Sequence, residues 1–254
     1  MGGDLNLSSS LDPDALRSAF AVNRRLHIPG LLAEADADGL ADQLEAERSW
    51  TTIVAAGGDY FEMPLDGRLA ADPSKQSWLD AVAVDGRGRA TQYVYDTRRP
   101  GGPDEANVVD QALAFLNGAP FLDLMRAVTG DDRIDFADAQ ASRYRPGHIL
   151  TAHNDLSVGK NRLYAYVLNL TREWRADWGG TLVFYGDDGH VEQGWVPGFN
   201  ALNLFAVPMG HAVTQVGAHA ATDRLSIVGW LRSHTPVGPQ TREEAVAASA
   251  RPVV

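Results

Sequence analysis

The chain contains no cysteine. Disulfides and thiolate metal sites are therefore excluded, and any bound metal must be held by nitrogen and oxygen donors, which suits iron, manganese or zinc. Runs of lysine or arginine long enough to track a phosphate backbone are also missing. The formal net charge is −11, from 33 acidic and 22 basic residues, so nucleic acid is not an expected partner. No window approaches the roughly 18 consecutive apolar residues of a membrane span, and the first residues lack the basic start and apolar stretch of a secretory signal. The expectation is a cytoplasmic protein without a membrane partner. Nothing in the sequence speaks to oligomeric state.

With 44% hydrophobic and 22% charged residues over 254 positions, the composition is that of a folded globular chain, and the length permits one large domain. Asp12-Pro13 ahead of Leu16, Ala19 and Phe20 reads as a cap and first turn, predicting a short helix over 13–20. Arg25 to Pro29 reads as a strand. Leu40 and Leu44, four apart amid Ala, Asp and Glu, predict an amphipathic helix within 31–47. Between about 55 and 106 glycine, proline and charge dominate around one aromatic strand candidate, 91–97, and this stretch reads as a surface excursion or a lid. Residues 104–129 carry helical periodicity, broken at Gly118 and Pro120. From 137 onward, short runs of branched and aromatic residues recur at 140–151, 163–170, 181–185, 201–207, 212–216 and 225–231, which predicts an antiparallel sandwich or jelly roll.

Within this β-rich part, His153-Asn-Asp155 ends a strand candidate, where alternation turns residues two apart to one face. His211 opens a later strand after Pro208 and Gly210, and Arg224 begins Arg-Leu-Ser-Ile-Val-Gly-Trp. Two histidines and one carboxylate leave three positions of an octahedral ion open, as iron(II) needs to bind a bidentate oxo-acid and dioxygen together. His219 is the second choice for the distal histidine, with His190 and His148 further competitors. Tyr164 and Tyr166 have no determined face.

The ordered set Tyr144-x-Pro-Gly, His153-x-Asp155, Tyr166-Val-Leu-Asn169, Trp178-Gly-Gly, Pro197-Gly-Phe-Asn200, Gly-His211-x-Val and Arg224-x-Ser226-Ile-x-Gly-Trp230 resembles the catalytic core of the 2-oxoglutarate and Fe(II)-dependent oxygenases, in their prolyl 4-hydroxylase-like branch. The resemblance covers residues 140–231. It implies a mainly β fold, a double-stranded β-helix (jelly roll) core with supporting N-terminal helices. It divides a single oxygenase domain, 1–254, into helical support and variable substrate region (1–136), catalytic core (137–234) and tail (235–254).

The same resemblance implies His153, Asp155 and His211 as the Fe(II) ligands and Arg224 as the salt-bridge partner of the distal carboxylate of 2-oxoglutarate, with Tyr144 and Ser226 as further contacts. The co-substrates would be 2-oxoglutarate and O2, with ascorbate as a helper reductant. The products would be succinate, CO2 and a hydroxylated carbon, most naturally that of a prolyl residue, proline or a related amino acid. A small molecule, peptide or protein could be the substrate. Arg143, Arg145 and Arg162, near the metal strand, are either substrate contacts or arginines that are solvated or paired to neighbouring Asp. Three other readings stand beside this one: a catalytically inactive jelly-roll binding module, an oxygenase of a non-proline metabolite, and a zinc hydrolase using the same ligands.

Overall fold

The structure is a computed structural model, and it describes residues 4–56, 59–64 and 91–238, together with 241 and 244. Helix α1 (Pro13–Asn23) begins where the Asp12 side chain accepts from the Asp14 and Ala15 amides, and ends at Arg24 in a left-handed conformation. Strand β1 (Arg25–Pro29) and helix α2 (Glu34–Ala46) follow. Helices α3 (Val108–Leu116) and α4 (Ala119–Thr129) are separated at Gly118, as the Gly-Pro break predicts; α3 starts in a reciprocal cap between Asn107 and Asp110. Two strands of the glycine-rich stretch, β2 (Thr51–Ala56) and β3 (Asp59–Pro64), form a hairpin paired through β2 to β4 (Tyr93–Arg98). The rest of the suggested lid, 65–90, lies outside the described residues.

The later strands are β5 (Phe136–Ala137), β6 (Gln140–Tyr144), β7 (Ile149–His153), β8 (Arg162–Asn169), β9 (Leu182–Tyr185), β10 (Val191–Trp195), β11 (Ala201–Ala206), β12 (His211–Val213) and β13 (Arg224–Arg232). Their order, β1-β11-β8-β13-β6-β4-β7-β12-β9-β10, is antiparallel throughout. Strand β4 pairs with β6 through Asp96 to Arg98 and with β7 through Tyr93 and Val94, so it joins the two halves of the sheet. This is the double-stranded β-helix that the family resemblance implies, and it bears out the antiparallel jelly roll that the recurring short strands predict.

Strand β8 separates two cores. Tyr164, Tyr166 and Leu168 belong to a helix-side cluster with Phe20, Leu40, Leu44, Phe121 and Met125. Ala165 turns the other way into an inter-sheet cluster with Tyr144, Phe184, Phe205 and Val213. Period-two alternation thus lets one strand serve both layers. It also settles the face of the two tyrosines: Tyr164 meets the Phe20 ring edge-on, and Tyr166 meets Phe121. Gly229 marks a close approach of chains, because a Cβ there would lie 2.0 Å from the Asp138 carbonyl oxygen.

Candidate active site

Two cross-strand pairs face one cavity. In one half of the sheet His153, the last residue of β7, lies opposite His211, the first of β12. In the other half Tyr144, the last residue of β6, lies opposite Arg224, the first of β13. A cavity of about 80 Å³ runs between them, lined by His153, Asp155, His211, Tyr144, Arg224 and Ser142 among others.

The histidine rings lie 4.1 Å apart between centroids. His153 Nε2 is 3.5 Å from one oxygen of Asp155 and His211 Nε2 is 3.4 Å from the other, and one ligand atom of each residue lies within 4.8 Å of the rest. Both outer nitrogens are engaged: His153 Nδ1 with the Thr151 carbonyl at 2.9 Å and His211 Nδ1 with the Met209 carbonyl at 2.8 Å. A carbonyl only accepts, so each Nδ1 carries a proton, and Nε2 is the nitrogen each ring turns toward Asp155. With Nε2 unprotonated, that is the tautomer a metal ligand requires. Asp155 does not reach the site by strand alternation. It lies past the end of β7 with φ of 63°, a left-handed conformation that Asp tolerates better than most residues. Arg162 holds this turn by donating to the Asp155 carbonyl at 3.0 Å.

Burial works to raise the Asp155 carboxyl, but the hydrogen bond from His153 and the charges of both rings and Arg162 hold it well below the usual carboxylate range. Burial also pulls His211 down, to about 4. His153 is opposed by the same burial, yet its bond to Asp155 lifts it above its ordinary value. Asp155 and the His153 ring thus form a charged pair where a cation could take the proton's place. The donor set fits a divalent ion that accepts nitrogen and oxygen ligands.

At the other end Arg224 is 2% exposed. Its Nη2 donates to Asn169 Oδ1 at 3.3 Å, its Nε has no partner, and the guanidinium carbon lies 5.2 Å from the Tyr144 ring centroid. Among the described residues no carboxylate pairs with it. Burial lowers its pKa, opposed by the phenol of Tyr144, and burial pushes the Tyr144 phenol well up. An arginine so placed is a binding site for an anion, since an unpaired buried charge is costly until a counter-ion arrives. Gly180 makes room for it: with φ of 63°, a Cβ there would come within 3.2 Å of Arg224 Cδ.

Ser226 bonds Asn169 Oδ1 at 3.4 Å and is not among the residues lining the cavity. The serine that lines it is Ser142, directly across from Ser226 in the β6 and β13 pairing and buried without a partner among the described residues. Sequence reasoning missed it, although its place two residues before Tyr144 gives it the same face. Tyr95 was missed too. Its ring stacks on Tyr144 at 5.0 Å and 10°, and nothing in an aromatic strand separates such a wall residue from an ordinary core tyrosine.

Of the other histidines, His190 and His219 are exposed, and His219 Nε2 is bound to the Asp177 carbonyl. His148 is buried and lowered to about 4 by that burial, away from the cavity lining. Arg143 and Arg145 are paired with the fully buried Asp96 at 2.8 Å each, so the carboxylate-paired reading holds for both. Arg162 lies with its guanidinium carbon 3.4 Å from the centroid of Trp230, which lines the cavity.

Residues 139–232 match the profile of the 2OG-Fe(II) oxygenase superfamily. Over 137 residues the chain is 32% identical to the prolyl 3-hydroxylase OGFOD1 of Mus musculus, a match covering 51% of this chain and 25% of that protein. The chain thus spans about a quarter of the length of that curated relative. Among solved structures, a Pseudomonas putida prolyl-4-hydroxylase aligns with TM-score 0.55 and 21% identity over 88% of this chain and 100% of its own. A Trichoplax adhaerens prolyl hydroxylase, solved with a hypoxia inducible factor peptide fragment, aligns with TM-score 0.56 and 15% identity over 92% of each. These likenesses show a shared fold.

Proposed function

With residues 139–232 matching the profile of the 2OG-Fe(II) oxygenase superfamily, we propose that this protein is an iron(II)- and 2-oxoglutarate-dependent dioxygenase. It hydroxylates an unactivated carbon of a prolyl residue, of proline or of a related amino acid. The observation that carries the reading is Arg224, a buried guanidinium without a carboxylate partner among the described residues, in one cavity with a two-histidine, one-carboxylate set. A zinc hydrolase would use the three ligands but has no need of an anion site opposite them. A binding module that had lost its chemistry would have no reason to keep both histidines in the ligating tautomer.

In this reading His153 and His211 hold iron through Nε2, and Asp155 holds it through its carboxylate. Arg224 receives the distal carboxylate of 2-oxoglutarate through two parallel charge-assisted bonds, which a planar guanidinium offers and an ammonium does not. Ser142 supplies a further donor, and Tyr144 walls the same end. When bound, iron and 2-oxoglutarate supply the oxidising chemistry, in which dioxygen and the oxo-acid are consumed to give succinate, CO2 and one oxygen atom inserted into the substrate. The apolar walls, Leu150, Val167 and Val228, keep water from that end of the cavity. Trp230 Nε1, a buried donor without a partner, is available to a substrate carbonyl.

The prolyl part of the proposal is supported by the names of the mouse, Pseudomonas and Trichoplax proteins. Free proline is compared with prolyl peptides, each with and without ascorbate as reductant. A cytoplasmic place is part of the same proposal; no described helix is long and apolar enough to cross a membrane. The test loads the protein with iron(II), adds 2-oxoglutarate and air, and measures succinate with proline, prolyl peptides and other amino acids in parallel. Expected is succinate release stimulated by prolyl compounds, each gaining the mass of one oxygen atom. Succinate stimulated only by compounds without proline would remove the prolyl substrate and leave the oxygenase. An iron-binding protein that releases no succinate under any condition would sink the dioxygenase reading.

A further inference from the structure

Asn169 ends β8 and is completely buried. Its carboxamide meets three groups: Oδ1 lies 3.3 Å from Arg224 Nη2 and 3.4 Å from Ser226 Oγ, and Nδ2 donates to the Ala201 carbonyl at 3.2 Å. The orientation of the amide is fixed by its neighbours, because arginine can only donate and a backbone carbonyl can only accept. Asparagine therefore anchors the guanidinium through a neutral acceptor. Aspartate has the same shape and would seem the more obvious partner for a buried arginine. It would also cancel the charge that makes the cavity an anion site.

Resting on the dioxygenase reading, we infer that Asn169 is a positioning residue that holds Arg224 in place while sparing its charge for the carboxylate of the co-substrate. The neutral side chain at 169 makes the arginine dependent on a ligand for its counter-ion. The contact is single and long: one Nη is tethered at 3.3 Å, and Nε has no partner among the described residues. Ser226 acts on the same oxygen from the neighbouring strand, which gives that serine a supporting place behind the arginine.

The test compares Asn169→Asp with Asn169→Ser. Both variants lose the Nδ2 donor to the Ala201 carbonyl, so a merely structural role ranks aspartate, which keeps the shape, no harsher than serine, which leaves a gap. Charge sparing ranks them the other way. Binding of 2-oxoglutarate is measured calorimetrically on protein loaded with manganese(II), with manganese affinity measured separately as a control for the fold and the metal end. Expected is a loss of at least about tenfold in 2-oxoglutarate affinity for Asn169→Asp, a smaller loss for Asn169→Ser, and unchanged manganese binding in both. Should Asn169→Asp fail to fold, Ser226→Asp brings a carboxylate beside the same guanidinium from β13 and must weaken 2-oxoglutarate binding in the same way. Wild-type protein that binds 2-oxoglutarate, with the aspartate variants binding as tightly as the serine variant or tighter, overturns the inference alone. Wild-type protein that binds manganese(II) but not 2-oxoglutarate overturns the dioxygenase reading and this inference with it.

Discussion

Among the seven histidines, ring-nitrogen contacts set two apart. His153 and His211 each give Nδ1 to a backbone carbonyl two residues earlier and turn Nε2 inward. His219 spends Nε2 on the Asp177 carbonyl at the surface, and His190 is exposed on the turn before β10. Replacing His153, Asp155 or His211 with Ala should therefore abolish iron-dependent succinate release, whereas His190→Ala and His219→Ala should retain most of it. Succinate and iron content measured on the five purified variants decide this. A dead His219→Ala beside an active His211→Ala would reassign the distal ligand. The sequence made His153 and His211 legible because each stands at a strand end in an ordered set of motifs. It hid Ser142, whose role rests on what lies across from it rather than on its neighbours. Ser226, in the motif, is drawn away by Asn169, a contact between strands distant in sequence.

Strand β4 holds the two halves of the sheet together, and its Asp96 is the fastening. That carboxylate has no exposed surface and receives Thr52 Oγ1 at 2.6 Å, Arg143 Nε at 2.9 Å and Arg145 Nε at 2.8 Å. The bonds bind β4 to β2, to β6 and to the turn after it, and hold the adjacent Tyr95 against Tyr144 at the cavity wall. Burial works to raise Asp96, but Arg145, His148 and Thr52 outweigh it and the carboxyl is lowered. A lowered native value means stabilisation that is complete above the unfolded carboxyl pKa and is lost as pH falls through the native one. Asp96→Asn should cost about 3–5 kcal/mol at neutral pH, the range for breaking a buried ion pair. It should also flatten the loss of stability below about pH 4, the unfolded carboxyl range. Urea unfolding of both proteins across that range is the check, and a variant with the wild-type acid slope would discard the fastening. Reading elements from sequence succeeded where burial on both faces gave apolar runs, as in β8 and β11. It failed at β10, Val191 to Trp195, whose residues are largely exposed, and at β2 and β3, which merge into a glycine-rich stretch.

At the scale of the molecule the helices and the cavity are joined through one strand. Tyr164, Tyr166 and Leu168 of β8 pack under α1 and α4, while Ala165, Val167 and Asn169 turn toward the inter-sheet side that holds the candidate site. The helix layer was readable from its 3.6-residue periodicity, but its dependence on the barrel was not, because only the register of β8 shows which side chains go to which layer. We propose that the described residues form a single folding unit, with a buried arginine that has no carboxylate partner among them and whose cost a ligand can relieve. Binding that favours the native state adds about 2.7 kcal/mol when the ligand is present at a hundred times its dissociation constant. For a chain of this size that corresponds to a rise in Tm of roughly 5–10 °C. Manganese(II) with 2-oxoglutarate should therefore raise Tm by that order as one cooperative transition, seen equally by far-UV dichroism of the helices and by tryptophan fluorescence near the cavity. Metal alone should give only part of the shift, because it leaves Arg224 without a counter-ion. Two separate transitions, with only the fluorescence midpoint moving, would mean that the helices and the barrel fold independently and that β8 does not couple them.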